Sequence, residues 1–259
     1  MTDKKVDVLI LILFLFFSIA YSIFTKDLFI GKTVFAFAIF TLPQIIYLSI
    51  REKKPWKKII FATLIFGTIN GFFFEFIAEF NYSYSVISTV FPKILGIVPV
   101  DNILGHTMMA LLTFTFYEHF INTRKSSSIS SRSKYAILIS LSSTTIILFM
   151  FIYNRNLLLF HYSYFYMGLA AIIPAVILGI KKTYLIKDMA VTAIYFFFLY
   201  LSLELLAVSN NWWIYKGKYI GWVTLFNYSF PFEELFFWML FYAASLVSYY
   251  KIFIDRNGH

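Results

Sequence analysis

Long apolar runs alternate along this chain with short polar ones. The runs hold about 17 to 24 residues and are broken by brief clusters of Lys, Arg, Ser and Asn, and a helix needs roughly 20 residues to cross the hydrocarbon core of a bilayer. The period-two alternation of a transmembrane β-barrel is absent, which leaves helices to satisfy the backbone in lipid. The runs predict eight helices, over about 7–24, 31–50, 59–79, 96–118, 135–153, 157–180, 188–208 and 230–250. The first follows Lys4 and Lys5 and lacks a small-x-small cleavage site, so it reads as an uncleaved anchor.

Composition points the same way. Sixty per cent of the residues are hydrophobic and 14% charged, with a mean hydropathy of +0.77, far from the balance of a soluble domain. The net charge of +9 raises the question of nucleic acid, and its distribution supplies a different answer. With the N-terminus inside, the cytoplasmic segments carry Lys4, Lys5, Arg51, Lys53, Lys54, Lys57, Lys58, Arg124, Lys125, Arg132, Lys134, Lys181, Lys182, Lys187, Lys251 and Arg256, 16 of the 22 basic residues. Lys26, Lys32, Lys93, Arg155, Lys216 and Lys218 fall outside. The positive-inside rule then sets a multi-pass protein of the inner (plasma) membrane, both termini cytoplasmic, with lipid and not nucleic acid as its surroundings.

Several chemistries are excluded. There is no cysteine, hence no disulfide, thiolate metal site or thiol nucleophile. His106, His119, His161 and His259 form no HxxxH or HExxH pair, and no glycine loop for a dinucleotide or phosphate appears. Neither a metal nor a cofactor is expected.

The two halves of the chain correspond at an offset near 130. Pro43 matches Pro174, Glu75 matches Glu204, Asn81 matches Asn210, and Pro99 matches Pro231. The expected fold is therefore an all-α polytopic transmembrane bundle of about eight spans in two parallel four-helix repeats. Its divisions are a first repeat over 1–123, a Ser-rich cytoplasmic linker over 124–134 ("RKSSSISSRSK") and a second repeat over 135–259. Assembly into a homo-oligomer is left open.

Acids inside such a bundle are costly unless paired, and mark sites by default. Glu75 and Glu204 end the third helix of each half, where the helix dipole disfavours them; water at the outer surface, or Lys93 and Lys216, would be the plain explanation. Asp101, Glu233 and Glu234 open the fourth helices, where N-terminal capping is an equal alternative. Glu233 and Glu234 stand about 100° apart on a helix. Glu234 shares a face with Trp238 and Phe241, Glu233 one with Phe236 and Phe237. Trp212, Trp213, Trp222, Tyr82, Tyr84, Tyr215 and Tyr219 flank the outer helix ends as an interfacial aromatic belt would. His106, a turn after Asp101 and Asn102, reads as a helix-packing hydrogen bond or a proton relay.

"NNWWIYKGKYIGWVTLFNYSFPFEELFFWMLFYAASLVSYY", residues 210–250, resembles the C-terminal half of the heterodimeric-type and fungal-type lycopene cyclases, in which a Trp-containing loop precedes a Pro-x-Glu-Glu helix start, here Pro231, Glu233 and Glu234. The first half departs from this pattern with "PVDN", Pro99–Asn102. The resemblance implies a cofactor-independent, redox-neutral cyclisation of the end of a linear carotenoid or related isoprenoid. Its candidate catalytic residues are Glu75, Asp101, Glu204, Glu233 and Glu234. Asn81, Asn210, Trp213, Pro231, Phe237 and Trp238 would contact the substrate. Proton-coupled transport and non-catalytic carotenoid binding are the rival readings.

Overall fold

The computed structural model describes residues 2–25, 32–51, 54–122 and 128–255. Among these, eight long helices follow one another: α1 Thr2–Thr25, α2 Thr33–Arg51, α3 Trp56–Phe80, α4 over 100–121, α5 Ser133–Tyr153, α6 Ser163–Lys181, α7 Tyr184–Ser209 and α8 Glu234–Ile254. All but α4 are long and apolar enough to cross a membrane. In α4 the α-helical part, Val100–Phe116, holds Asp101, Asn102 and His106 in 17 residues before the winding turns π-helical over Tyr117–Ile121. This is a multi-pass helical membrane protein. Large apolar side chains such as Leu13, Phe16, Phe149 and Ile194 point outward, whereas Glu75, Asp101, Glu118, Glu204 and Lys58 are buried. That inversion of the soluble pattern is what a lipid solvent selects.

Two prolines sit inside helices and cost each a backbone hydrogen bond. Pro43 leaves the Ile39 carbonyl without its i+4 donor, and Ser18 of α1 donates to that oxygen at 2.9 Å. In α6, Tyr249 donates to the carbonyl of Ala171, three residues before Pro174, at 2.5 Å. A neighbouring helix thus absorbs the break at Pro43, and Tyr249 pins α6 one residue past the carbonyl that Pro174 leaves free.

Helix α3 closes on α4 through glycines. A Cβ on Gly67 would lie 2.8 Å from that of Ala110, and one on Gly71 would lie 2.8 Å from the Cβ of His106. Only hydrogen at these positions lets α3 seat His106 where it is. Elsewhere Gly105 receives the ring of Phe37, and Gly168 that of Phe237.

The connections after α3 and α7 are built alike. Both helices end in a left-handed residue, Tyr82 and Asn211. The next N–H reaches back five residues, Ser83 to Ala78 at 2.8 Å and Trp212 to Ala207 at 2.9 Å, a Schellman-type closure in each case. Strands then follow: β1 Tyr84–Val86, β2 Lys93–Ile94 and β3 Val98–Pro99 before α4; β4 Trp213–Tyr215, β5 Trp222–Leu225 and β6 Tyr228–Pro231 before α8. β1 pairs antiparallel with β4, Tyr84 opposite Tyr215 and Val86 opposite Trp213, so the two connections are stitched over the same end of the bundle. The hairpins β2–β3 and β5–β6 complete the cover.

Several sequence expectations shift. α4 begins at Val100 and not near 96, because Val98 and Pro99 pair with β2 in extended backbone. The expected 157–180 helix starts at Ser163: Arg155–Leu158 forms a 3-10 turn, and Tyr162 is left-handed. Of the Ser-rich linker, 124–127 lie outside the described residues. Its remainder is not a free tether, since Ser130 is buried, its N–H bonds the Ile254 carbonyl at 2.9 Å, and α5 begins at Ser133. Lys26, Lys53, Arg124, Lys125, Arg256 and His259 also lie outside the described residues. Lys58 lies fully buried and not on a cytoplasmic surface.

Candidate active site

Beneath the stitched connections lies a cavity enclosing about 770 Å³ of empty space, its open mouth included. Three glutamates from three helices line it: Glu75 of α3, Glu204 of α7 and Glu234 of α8. Among the described residues no Lys or Arg lines it. Each acid is instead held by a tyrosine hydroxyl: Glu75 by Tyr84, Glu204 by Tyr215 at 2.7 Å, and Glu234 by Tyr164. The three phenols pack edge to face, with Tyr84 5.7 Å from Tyr164 and 6.4 Å from Tyr215 between ring centroids. Burial pushes the Tyr84 and Tyr215 phenols well above their ordinary values, with the neighbouring carboxylates adding to the shift. Both therefore act as hydrogen-bond donors.

Glu75 carries the densest set of donors. Oε1 also receives His106 Nε2 at 2.9 Å, and Oε2 receives Asn102 Nδ2 at 3.1 Å. A proton on Nε2 leaves Nδ1 of His106 to accept from the Tyr242 hydroxyl of α8 at 3.1 Å. Glu204 is held through one oxygen, with Trp213 Nε1 at 3.3 Å beside Tyr215. Around the acids stand Phe74, Trp213, Trp238 and Tyr242, whose faces and edges form the rest of the wall.

Local winding explains why α8 delivers so much of this wall. Its first nine residues, Glu234–Tyr242, are π-helical, and the wider turn gathers residues four to five apart on one face. Glu234, Trp238 and Tyr242 accordingly all reach the cavity.

Asp101 and Glu233 do not join the other three candidates. Asp101 accepts the backbone N–H groups of Val90 at 2.8 Å and Phe91 at 3.0 Å. Glu233 accepts that of Ile220 at 2.7 Å. Each folds the preceding connection onto its helix start. The adjacent acids of "FPFEELFF" thus face different ways: Glu233 holds the preceding loop and makes no cap bond to its own helix, and Glu234 faces the cavity.

Among the proposed substrate contacts, Trp213 and Trp238 line the cavity. Pro231 is buried in the β5–β6 hairpin opposite Trp222, and Phe237 packs over Gly168; neither lines it. Asn81 and Asn210 are helix C-caps. Asn81 ties α3 to the 158–160 segment, donating to Leu158 O and accepting from Phe160 N, both at 2.9 Å.

The plain explanations for Glu75 and Glu204 fail, since both are buried, and Lys93 pairs with Glu79 at 2.8 Å instead. Tyr82 and Trp222 are exposed, whereas Trp212 and Tyr84 are buried and do not fit a belt. Tyr164 and Tyr242 went unmarked in the sequence. The dense tyrosines of "HYSYFY" were the available signal for the first, and nothing in local spacing marked the second.

No family model, curated protein or solved structure matches this chain.

Proposed function

We propose that the cavity performs proton-initiated cyclisation of the end of a linear carotenoid or related isoprenoid, as the resemblance to lycopene cyclases in residues 210–250 implies. The observation that carries this reading is a cavity holding three carboxylates and a wall of aromatic rings, with no Lys or Arg among the described residues that line it. Carbocation chemistry asks for that combination: an acid to start, a base to finish and π-faces to steady the positive charge between.

In the proposed sequence Glu234 gives its proton to the terminal double bond. The resulting tertiary cation is attacked by the next double bond in reach, which closes a six-membered ring and moves the charge onto the ring. A neighbouring ring carbon then loses a proton to Glu75, and a double bond forms. One proton enters and one leaves, so mass and oxidation state are unchanged. Glu204, with Tyr215 and Trp213, holds the far side of the cavity and adds negative potential beside the cation.

The matched Schellman closures, the antiparallel β1–β4 pairing, the equivalent loop-holding roles of Asp101 and Glu233, and the in-helix prolines Pro43 and Pro174 support an internal duplication in parallel repeats. On that correspondence Asn102 stands where the second half has Glu234, and both line the cavity. The departure "PVDN" therefore removes one cavity acid and keeps the loop-holding one, leaving a site with one such donor. The charge balance supports an orientation with the cavity toward the outer leaflet.

The experiment is expression in a host that accumulates lycopene, with pigments resolved by chromatography and mass detection. A ring-closed isomer of unchanged mass is expected. Unaltered lycopene beside abundant membrane-inserted protein would contradict this substrate, and flux that follows a pH gradient would establish transport instead.

A further inference from the structure

Among the described residues, three polar atoms of the cavity lining are buried without a hydrogen-bond partner: Oδ1 of Asn102, Nε1 of Trp238 and the hydroxyl of Tyr200. Asn102 is only 5% exposed. Its amide orientation is set by Glu75, which accepts from Nδ2 at 3.1 Å, so its oxygen is the end left over. Asn102 and Trp238 flank one residue, His106. Asn102 lies one helical turn before His106, and the Trp238 indole packs edge-on against the His106 imidazole, with centroids 6.1 Å apart.

Oδ1 is an acceptor lacking a donor, and Nε1 is a donor lacking an acceptor. Leaving such groups unpaired inside a protein is costly, and folded interiors rarely do so. A bare hydrocarbon end can satisfy neither atom. A hydroxyl offers what each lacks, an O–H to donate to Asn102 Oδ1 and an oxygen to accept from Trp238 Nε1.

The geometry points to a ligand that carries a hydroxyl at the end it buries here, a linear isoprenoid alcohol or a hydroxylated polyene in place of a plain hydrocarbon. This rests on the reading of the cavity as an isoprenoid site and narrows its substrate class. Trp238 stands four residues after Glu234 on α8. A hydroxyl held at Trp238 therefore fixes which carbons of the chain come to rest beside that carboxylate, and the polar anchor sets the register of the reacting end.

The test is native mass spectrometry of the full chain released from detergent, titrated with a C20 isoprenoid alcohol, geranylgeraniol, and with the hydrocarbon of the same skeleton lacking the hydroxyl. The alcohol is expected to bind at least tenfold tighter. Trp238→Phe keeps a ring and removes the N–H, and should cut that preference, read as the ratio of the two affinities, about tenfold. Asn102→Ala, which also frees Glu75, should lower the preference by a similar factor and keeps the question answerable if the Trp238 variant folds poorly. Equal binding of alcohol and hydrocarbon overturns the inference and leaves the isoprenoid reading intact, as does a preference that survives both substitutions. Binding of neither probe overturns the isoprenoid reading and this inference with it.

Discussion

Two buried polar clusters occupy opposite ends of α4, and they are built on opposite principles. Near its start, Asn102 and His106 belong to the cavity of Glu75, Glu204 and Glu234. Near its end, Glu118 meets Lys58 at 2.8 Å, with Asp255 3.4 Å from the same amine. Asn122 donates to Glu118 at 2.9 Å, and Tyr250 donates to Glu118 at 2.6 Å. Beside this group Asp7 receives Arg51 at 2.7 Å and His119 at 2.8 Å, and Lys54 lies 2.9 Å from His119. At this second end every buried acid has a cation or imidazole against it. It ties α1, α3, α4 and α8 together, as a buried charge in an apolar medium requires. The cavity acids have only neutral hydroxyl, indole and amide donors and one imidazole. Paired charges hold the bundle; acids lacking a full cation are what remains available for chemistry.

Glu234→Gln should break the comparison most sharply. Removal of the proposed proton donor is expected to lower ring formation by about 10²–10⁴-fold, with the thermal midpoint unchanged or raised, because an amide is cheaper to bury than an acid without a cation. Lys58→Met should do the reverse. It removes the cation that faces Glu118 and is expected to cost about 3–5 kcal/mol of stability, read from unfolding in detergent, and the double variant with Glu118→Met should recover most of the loss.

A milder contrast lies inside one motif. Glu233→Gln keeps an oxygen for the Ile220 N–H and is expected to cost less than about tenfold in turnover, against the near-complete loss at its neighbour. Weakest is a pH effect at the paired end. Burial lowers the Lys54 amine to about 8, more than its neighbouring charges alter it. The folded chain therefore gives up this proton at a pH where the unfolded chain still holds it, and the lysine's penalty on folding is full below pH 8 and fades toward the ordinary lysine value. Wild-type protein should gain stability relative to Lys54→Met as pH rises through that window, by on the order of 1 kcal/mol.

The helices were legible because lipid imposes a length and an apolar composition that no other constraint overrides. Their ends were less so, since Val98–Pro99 and residues 157–160 are apolar enough to read as helix and are held otherwise by β2 and by Asn81. Glu75, Glu204 and Glu234 stood out as acids in greasy surroundings. Tyr84 and Tyr215 were marked only as belt residues, and Tyr164 lies 70 residues from Glu234, a separation that no local period encodes; at the paired end the same holds for Lys58, 60 residues from Glu118. Lys58 reads in sequence as one more cytoplasmic cation, and only packing reveals that it is internal. The π-helical start of α8, where Tyr242 reaches the cavity beside Glu234 and Trp238, likewise leaves no mark in hydropathy.

The most direct test measures product and stability on one preparation: ring-closed carotenoid formed by purified Glu234→Gln protein in lycopene-loaded liposomes, with its thermal midpoint beside that of wild type. The account predicts that product disappears while the midpoint holds or rises. Product at the wild-type level, or a fall in midpoint as large as that of Lys58→Met, would contradict it, because Glu234 would then serve the fold and not the chemistry.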